Sequence, residues 1–156
     1  MAMDLKGAQF TVGRPPRLVL THACPNGTRL YADTALTDWH RFDATFANGV
    51  FRAKITLDTW IGSLGSFADQ LVAMNLTLNG EAALSSIDGE LDLKAVVNKL
   101  GHVIWTGELR YPGGVPEATL EFEMEDDQTS LGGLIAQVEG VVAEANSEPV
   151  PGIAGA

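Results

Sequence analysis

Cysteine is almost missing from this chain of 156 residues: Cys24 stands alone, so no disulfide can form within the chain. Pro25 follows it and neither a base nor a second thiol stands nearby, which makes Cys24 a small apolar residue rather than a nucleophile. Long apolar runs are missing too. No stretch approaches the roughly 18 uninterrupted residues of a membrane helix, and residues 1–7 lack the basic start and apolar core of a signal peptide. The expectation is a cytoplasmic protein that does not enter a membrane. Cations are scarce, with 10 Lys and Arg against 20 Asp and Glu and a net charge of −10. Affinity for phosphate backbones rests on Lys and Arg, so nucleic acid is excluded as a direct partner. The phosphate-cradling patterns GxGxxG and GxxxxGK[ST] and the metal pattern HExxH are all absent, and no cofactor or metal is expected.

What remains is globular. Hydrophobic residues make up 46% and charged residues 19%, which excludes a disordered chain. A chain of this length buries about 68–70% of the surface its unfolded form exposes, enough for one core. We expect a single domain over residues 1–145 and a flexible tail over 146–156, where prolines and glycines replace any apolar period.

In residues 117–125, Ala118, Leu120, Phe122 and Met124 alternate with Glu117, Thr119, Glu121, Glu123 and Glu125. A period of two is a strand with one buried face and one wet face. Four like charges in one row repel, so the row suggests an acidic surface for a basic partner. Shorter strands are expected at 8–12, 17–22 and 29–33. Asn48-Gly49 is a preferred type I′ pair. Folding the chain there sets Phe46 against Phe51, Ala44 against Ala53 and Phe42 against Ile55, with Asp43 meeting Lys54 on the other face. Asp88-Gly89 likewise sets Leu84 against Leu93, Ala82 against Ala95 and Ala83 against Lys94. Strand 102–111 sends Val103, Trp105 and Leu109 inward. If Trp105 meets Phe122 and Val103 meets Met124, then His102 faces Glu125 and Arg110 faces Glu117.

Two segments change period. In 60–75, Trp60, Leu64, Phe67, Leu71 and Met74 form a helical stripe, with Asp58 or Thr59 as cap. In 129–145, Leu131, Leu134, Ile135, Val138, Val141 and Val142 do the same, with Asp127 or Thr129 as cap. Runs of strands separated by helices argue for an α+β fold, an antiparallel β-sheet (hairpin plus meander) packed with two amphipathic helices. No internal repeat is visible.

The candidate binding surface is Glu121, Glu123, Glu125, Asp126 and Asp127, with His102 and Glu108 beside it. Negative charge presented to a phosphate-binding cleft gives an inhibitor on-rate and specificity. The plainer reading is a solvated strand whose charge blocks edge-to-edge pairing. His102 beside Glu125 and Glu108 is an acid–base pair on one reading and a single structural hydrogen bond on the other. His40 shares parity with Phe42 and reads as a partly buried, satisfied histidine, and His22 ends a strand. Trp39 falls opposite Asp58 on the outer face, either an interface anchor or a covered sheet end.

The order of elements also resembles a family. It is carried by a helix with Leu64, Phe67 and Leu71, a strand with Gly89, Glu90, Leu91 and Leu93, the tripeptide Gly101-His102-Val103, an acidic strand and an apolar C-terminal helix. Over about residues 39–145 the chain resembles the WapI-type bacterial immunity proteins and related small domains. The resemblance implies a cytoplasmic bacterial protein that neutralises the toxic domain of a contact-delivered nuclease, and it implies no catalytic residues. The expected function is therefore a non-enzymatic acidic binding protein, an immunity-like inhibitor of a basic toxin nuclease domain. Two alternatives stand beside it: a small hydrolase or small-molecule binder using His102 and nearby carboxylates, and a homo-oligomeric structural module.

Overall fold

A computed structural model describes residues 7–14, 17–25, 39–111 and 117–147. Alternating segments form strands and the two segments of wider apolar spacing form helices. The order is β1 (Gln9–Val12), β2 (Arg17–Pro25), β3 (Trp39–Asn48), β4 (Phe51–Trp60), α1 (Ile61–Thr77), β5 (Glu81–Ser85), β6 (Leu91–Val97), β7 (His102–Tyr111), β8 (Ala118–Asp127) and α2 (Leu131–Ser147). The fold is α+β. The strands divide into two antiparallel sheets, β1-β2-β3-β4 and β5-β6-β7-β8, here the first and second sheet. The chain thus runs through the plan ββββα twice, a repeat of topology that the residues do not display. The strand expected at 29–33 and the tail beyond residue 147 lie outside the described residues, and residues 146 and 147 belong to α2.

Both sheets turn their apolar faces to one core shared with the helices. Helix α1 lies along β5, α2 lies along β1, and the helices pack on each other. Each helix therefore covers the first strand of the opposite half. Phe67 of α1 joins the halves, with its ring 6.3 Å from Phe10 of β1 and 6.2 Å from Trp105 of β7. A second aromatic joint stacks Phe46 of β3 on Phe122 of β8 at 4.5 Å.

The facing of most strand residues follows their alternation, whereas register follows the expectation in one hairpin and departs from it in two. The β5–β6 hairpin pairs Leu84 with Leu93, Ala82 with Ala95 and Ala83 with Lys94, as expected. The β3–β4 hairpin is shifted by two residues, pairing Phe46 with Ala53, Ala44 with Ile55, Phe42 with Leu57 and Asp43 with Thr56. Gly49 alone in this turn has positive φ, at 59°, so it begins the loop and Asn48 stays in the strand. A shift of two keeps every residue on its face. It also places large side chains opposite smaller ones and leaves Phe46 free to stack on Phe122. Pairing of β7 with β8 is displaced by two as well. Trp105 meets Met124, Val103 meets Asp126, Arg110 meets Thr119 and Phe122 meets Gly107. A Cβ on Gly107 would lie 2.5 Å from Cζ of Phe122 and 3.1 Å from the Asp92 carbonyl. The bulkiest residue of β8 therefore needs the one position of β7 without a side chain.

The helix caps also differ in part. Trp60 ends β4, is 37% exposed and does not belong to the α1 stripe, which starts at Ile61. No side chain caps α1; Thr59 instead donates to the Ser85 carbonyl at 3.4 Å. Asp127 caps the second helical segment as expected, through a 3-10 turn Gln128–Ser130 that precedes α2. Trp39 is half-buried opposite Trp60, not Asp58, with ring centroids 6.3 Å apart.

Candidate binding face on the second sheet

Because successive strand residues point to opposite sides, the outer face of the second sheet is fixed by its register. One cross-strand row runs Ser85, Asp92, Glu108, Glu121. The next runs Ala83, Lys94, Thr106, Glu123. The first row puts three carboxylates on three adjacent strands, where directly opposed side chains stand about 4.5–5.5 Å apart. Like charges so placed are destabilising. Small side chains at Ala83, Ser85 and Thr106, and the bare backbone of Gly107, leave space between the charged ones. These residues with Asp92, Lys94, Glu108, Glu121 and Glu123 line an open hollow of about 700 Å3.

Compensation inside the hollow is incomplete. Arg110 holds Glu108 at 3.2 Å, and Ser85 donates to Asp92 at 2.6 Å. Lys94 is drawn to Glu81 at 3.0 Å, at the other end of the face. Glu121 and Glu123 meet no cation among the described residues. The hollow is shallow and open, so its uncompensated charges face solvent together from one side of the sheet.

Of the residues anticipated for this surface, Glu108, Glu121 and Glu123 line the hollow. Glu125 lies on the same face beyond it and contacts His102, Nδ1 to Oε1 at 2.5 Å. That contact was expected from direct opposition, but it forms diagonally, since His102 opposes Asp127. Arg110 pairs with Glu108 along its own strand and not with Glu117. Asp126 leaves the set: it shares parity with Met124, points inward and is buried, with Arg14 at 3.3 Å. Asp127 is occupied at the helix start, accepting from the Thr129 N–H at 3.0 Å. That backbone hydrogen bond is the main cause holding its carboxyl below the ordinary aspartate value. Asp92 was missed, although its alternation with Leu91 and Leu93 marks it as outward.

A second polar group was also missed. His22 and His40 are buried in the first sheet and share a hydrogen bond of 2.8 Å between Nε2 and Nδ1. The other ring nitrogen of His22 lies 2.8 Å from Glu144 of α2, whose same oxygen accepts from the Ala8 N–H at 2.8 Å. The inward parity of His40 was legible, whereas its partners come from distant segments. Among the described residues, no three His, Cys, Asp or Glu side chains are grouped to hold a metal ion. No described helix is long and apolar enough to cross a membrane.

A family model described as the immunity protein WapI-like family matches residues 19–146. The chain belongs to the WapI-like immunity protein family. The match includes both sheets from β2 onward and nearly all of α2, so the WapI-like region contains the acidic hollow whole. Family membership points to an immunity-type inhibitor role and to a toxin as partner. No curated protein matches the chain. Among solved structures, the crystal structures of Trypanosoma brucei MRP1/MRP2 align with a TM-score of 0.51 at 9% identity, covering 92% of this chain and 88% of that one. At that identity the likeness concerns the fold alone.

Proposed function

We propose that this protein is a non-enzymatic, cytoplasmic immunity-type inhibitor that captures a basic toxin domain on the outer face of its second sheet. The observation that supports this reading best is the row Asp92, Glu108, Glu121 at the edge of an open hollow. Arg110 and Ser85 offset part of the charge of Glu108 and Asp92, so Glu121 and the neighbouring Glu123 gain most from an incoming cation. Nuclease domains carry basic clefts for phosphate, so a single acidic hollow both attracts such a domain and occludes its substrate site. Family membership supplies the class of partner; the charge supplies its sign.

The reading is tested by identifying the toxin through co-purification from the native host and measuring its association with Glu121→Lys/Glu123→Lys protein. Reversal of two charges in the hollow is expected to slow association by about tenfold or more at low salt and to remove growth protection in cells expressing the toxin. Unchanged affinity would remove this face from the mechanism. The alternative reading as a hydrolase built on His102 requires a concavity there, and His102 is not among the residues lining the three hollows formed by described residues.

A further inference from the structure

Although the chain is strongly acidic overall, three of its ten cations share one corner. The outer face of the first sheet places Arg17, Ala47 and Arg52 in one cross-strand row, and Val19, Thr45 and Lys54 in the next. Arg17, Arg52 and Lys54 are exposed and meet no carboxylate among the described residues. Between them stand only small or β-branched residues, so the corner is flat and basic. The β3–β4 turn projects beside it, with Val50 90% and Phe51 64% exposed. No described element packs over either outer face. One molecule therefore presents a basic platform with a projecting apolar tip and an acidic hollow whose outward charged side chains are Asp92, Lys94, Glu108, Glu121 and Glu123.

From this complementarity we infer that the basic corner of the first sheet is a docking surface for the acidic outer face of the second sheet on another copy of this chain. The contact runs head to tail. Its strength is bounded by area: a four-stranded face measures roughly 19 by 30 Å, or about 600 Å2, below the approximately 800 Å2 per partner of a stable interface. The association is accordingly weak and reversible. Charge sets its salt dependence. Two whole molecules repel through their net charge, but at about 0.15 M salt that repulsion is screened beyond roughly 8 Å while touching charge pairs persist. At about 1 M the contact pairs are screened as well. Self-association covers the hollow, so a toxin must displace a neighbouring copy to enter it. The inference shares the acidic face with the proposed function but does not depend on a toxin.

Sedimentation velocity on the purified full chain tests it. Wild-type protein at about 0.15 M salt is expected to gain weight-average mass with concentration and to lose that gain at about 1 M. Arg17→Glu/Arg52→Glu/Lys54→Glu protein and Glu121→Lys/Glu123→Lys protein are each expected to stay monomeric alone, and to associate when mixed, because each supplies the face the other has reversed. Circular dichroism confirms that both fold. A wild-type chain that remains monomeric at every concentration overturns the inference, as does either variant associating alone as the wild type does. A mixture that stays monomeric overturns the pairing of these two faces. Toxin binding read separately on the same two variants distinguishes the proposals, since only Glu121→Lys/Glu123→Lys is expected to impair it.

Discussion

The two halves of this molecule follow one plan and hold it together differently. In the first, four strands enclose a pair of imidazoles tied to Glu144, and the outer face collects arginine and lysine. In the second, four strands close around Trp105, Leu84, Leu93 and Leu109, and the outer face collects carboxylates. Inward positions must be apolar or fully hydrogen-bonded, because an unpaired polar group there costs roughly 1–3 kcal/mol. Outward positions carry no such condition. The same topology therefore tolerates opposite surface charge on its two halves.

That comparison has a direct test. Trp105 is fully buried against Phe67, and Trp105→Ala is expected to lower stability by about 3–5 kcal/mol. His22→Ala removes one partner each from His40 and Glu144 and is expected to cost about 2–3 kcal/mol, mostly through polar groups left short of hydrogen bonds. Urea midpoints with unchanged slopes measure both. If His22→Ala proved neutral, the first half would be held by its apolar residues alone, and the contrast between the halves would fail.

The joint between the halves is sharpened by Gly107. Adding a methyl group there forces the Phe122 ring away and disturbs its stacking on Phe46, so Gly107→Ala is expected to cost about 1–3 kcal/mol. Phe122→Ala introduced beside it restores room. The double variant should then lose less than the sum of the two single losses, which is coupling between touching residues. Additive losses would show that the ring and the glycine do not constrain each other.

These cases also show what was legible beforehand. Alternation placed Trp105, Leu109, Phe42 and the glutamates of β8 on their correct faces, because parity depends only on near neighbours in sequence. Register depends on which large side chain finds an empty partner. Gly107 received Phe122 and Ala53 received Phe46, pairings set by contact between the sheets and not by turn residues alone. The hollow was legible in its carboxylates Glu121, Glu123 and Glu108. Asp92 escaped because its row exists only once three strands are aligned. The His22–His40–Glu144 group spans 122 residues of chain, a separation that no local pattern reports.

A smaller effect of opposite sign is expected where α1 leaves its sheet. Leu78 closes α1 in the left-handed region, with φ 53° and its N–H donating to the Met74 carbonyl at 2.7 Å. That position is one glycine fills without strain. Leu78 is 47% exposed, so the burial lost on truncation offsets only part of the relief of backbone strain. Leu78→Gly is expected to raise stability by about 0.5–1 kcal/mol. A loss instead would show that its side chain is held by the core more firmly than its exposure indicates.

The two helices differ at their starts, and the difference gives the mildest test. No side chain caps α1, whereas the segment leading into α2 begins at Asp127, whose carboxylate accepts from the Thr129 N–H. This hydrogen bond is the largest cause of its lowered pKa; the Thr129 hydroxyl and the charges of Arg14 and His102 act in the same direction, and desolvation acts against them. A depressed carboxylate stabilises the fold above its unfolded value of about 3.9 and loses that contribution as pH falls through its lower folded value. The Thr129 amide resonance should therefore titrate with a midpoint below the ordinary aspartate value, and α1 should show no matching transition at its first turn. In Asp127→Asn protein, where the side-chain oxygen still accepts but carries no proton equilibrium, the Thr129 inflection should vanish. A midpoint at or above the ordinary value would mean that this cap is not formed in solution and that both helices begin alike.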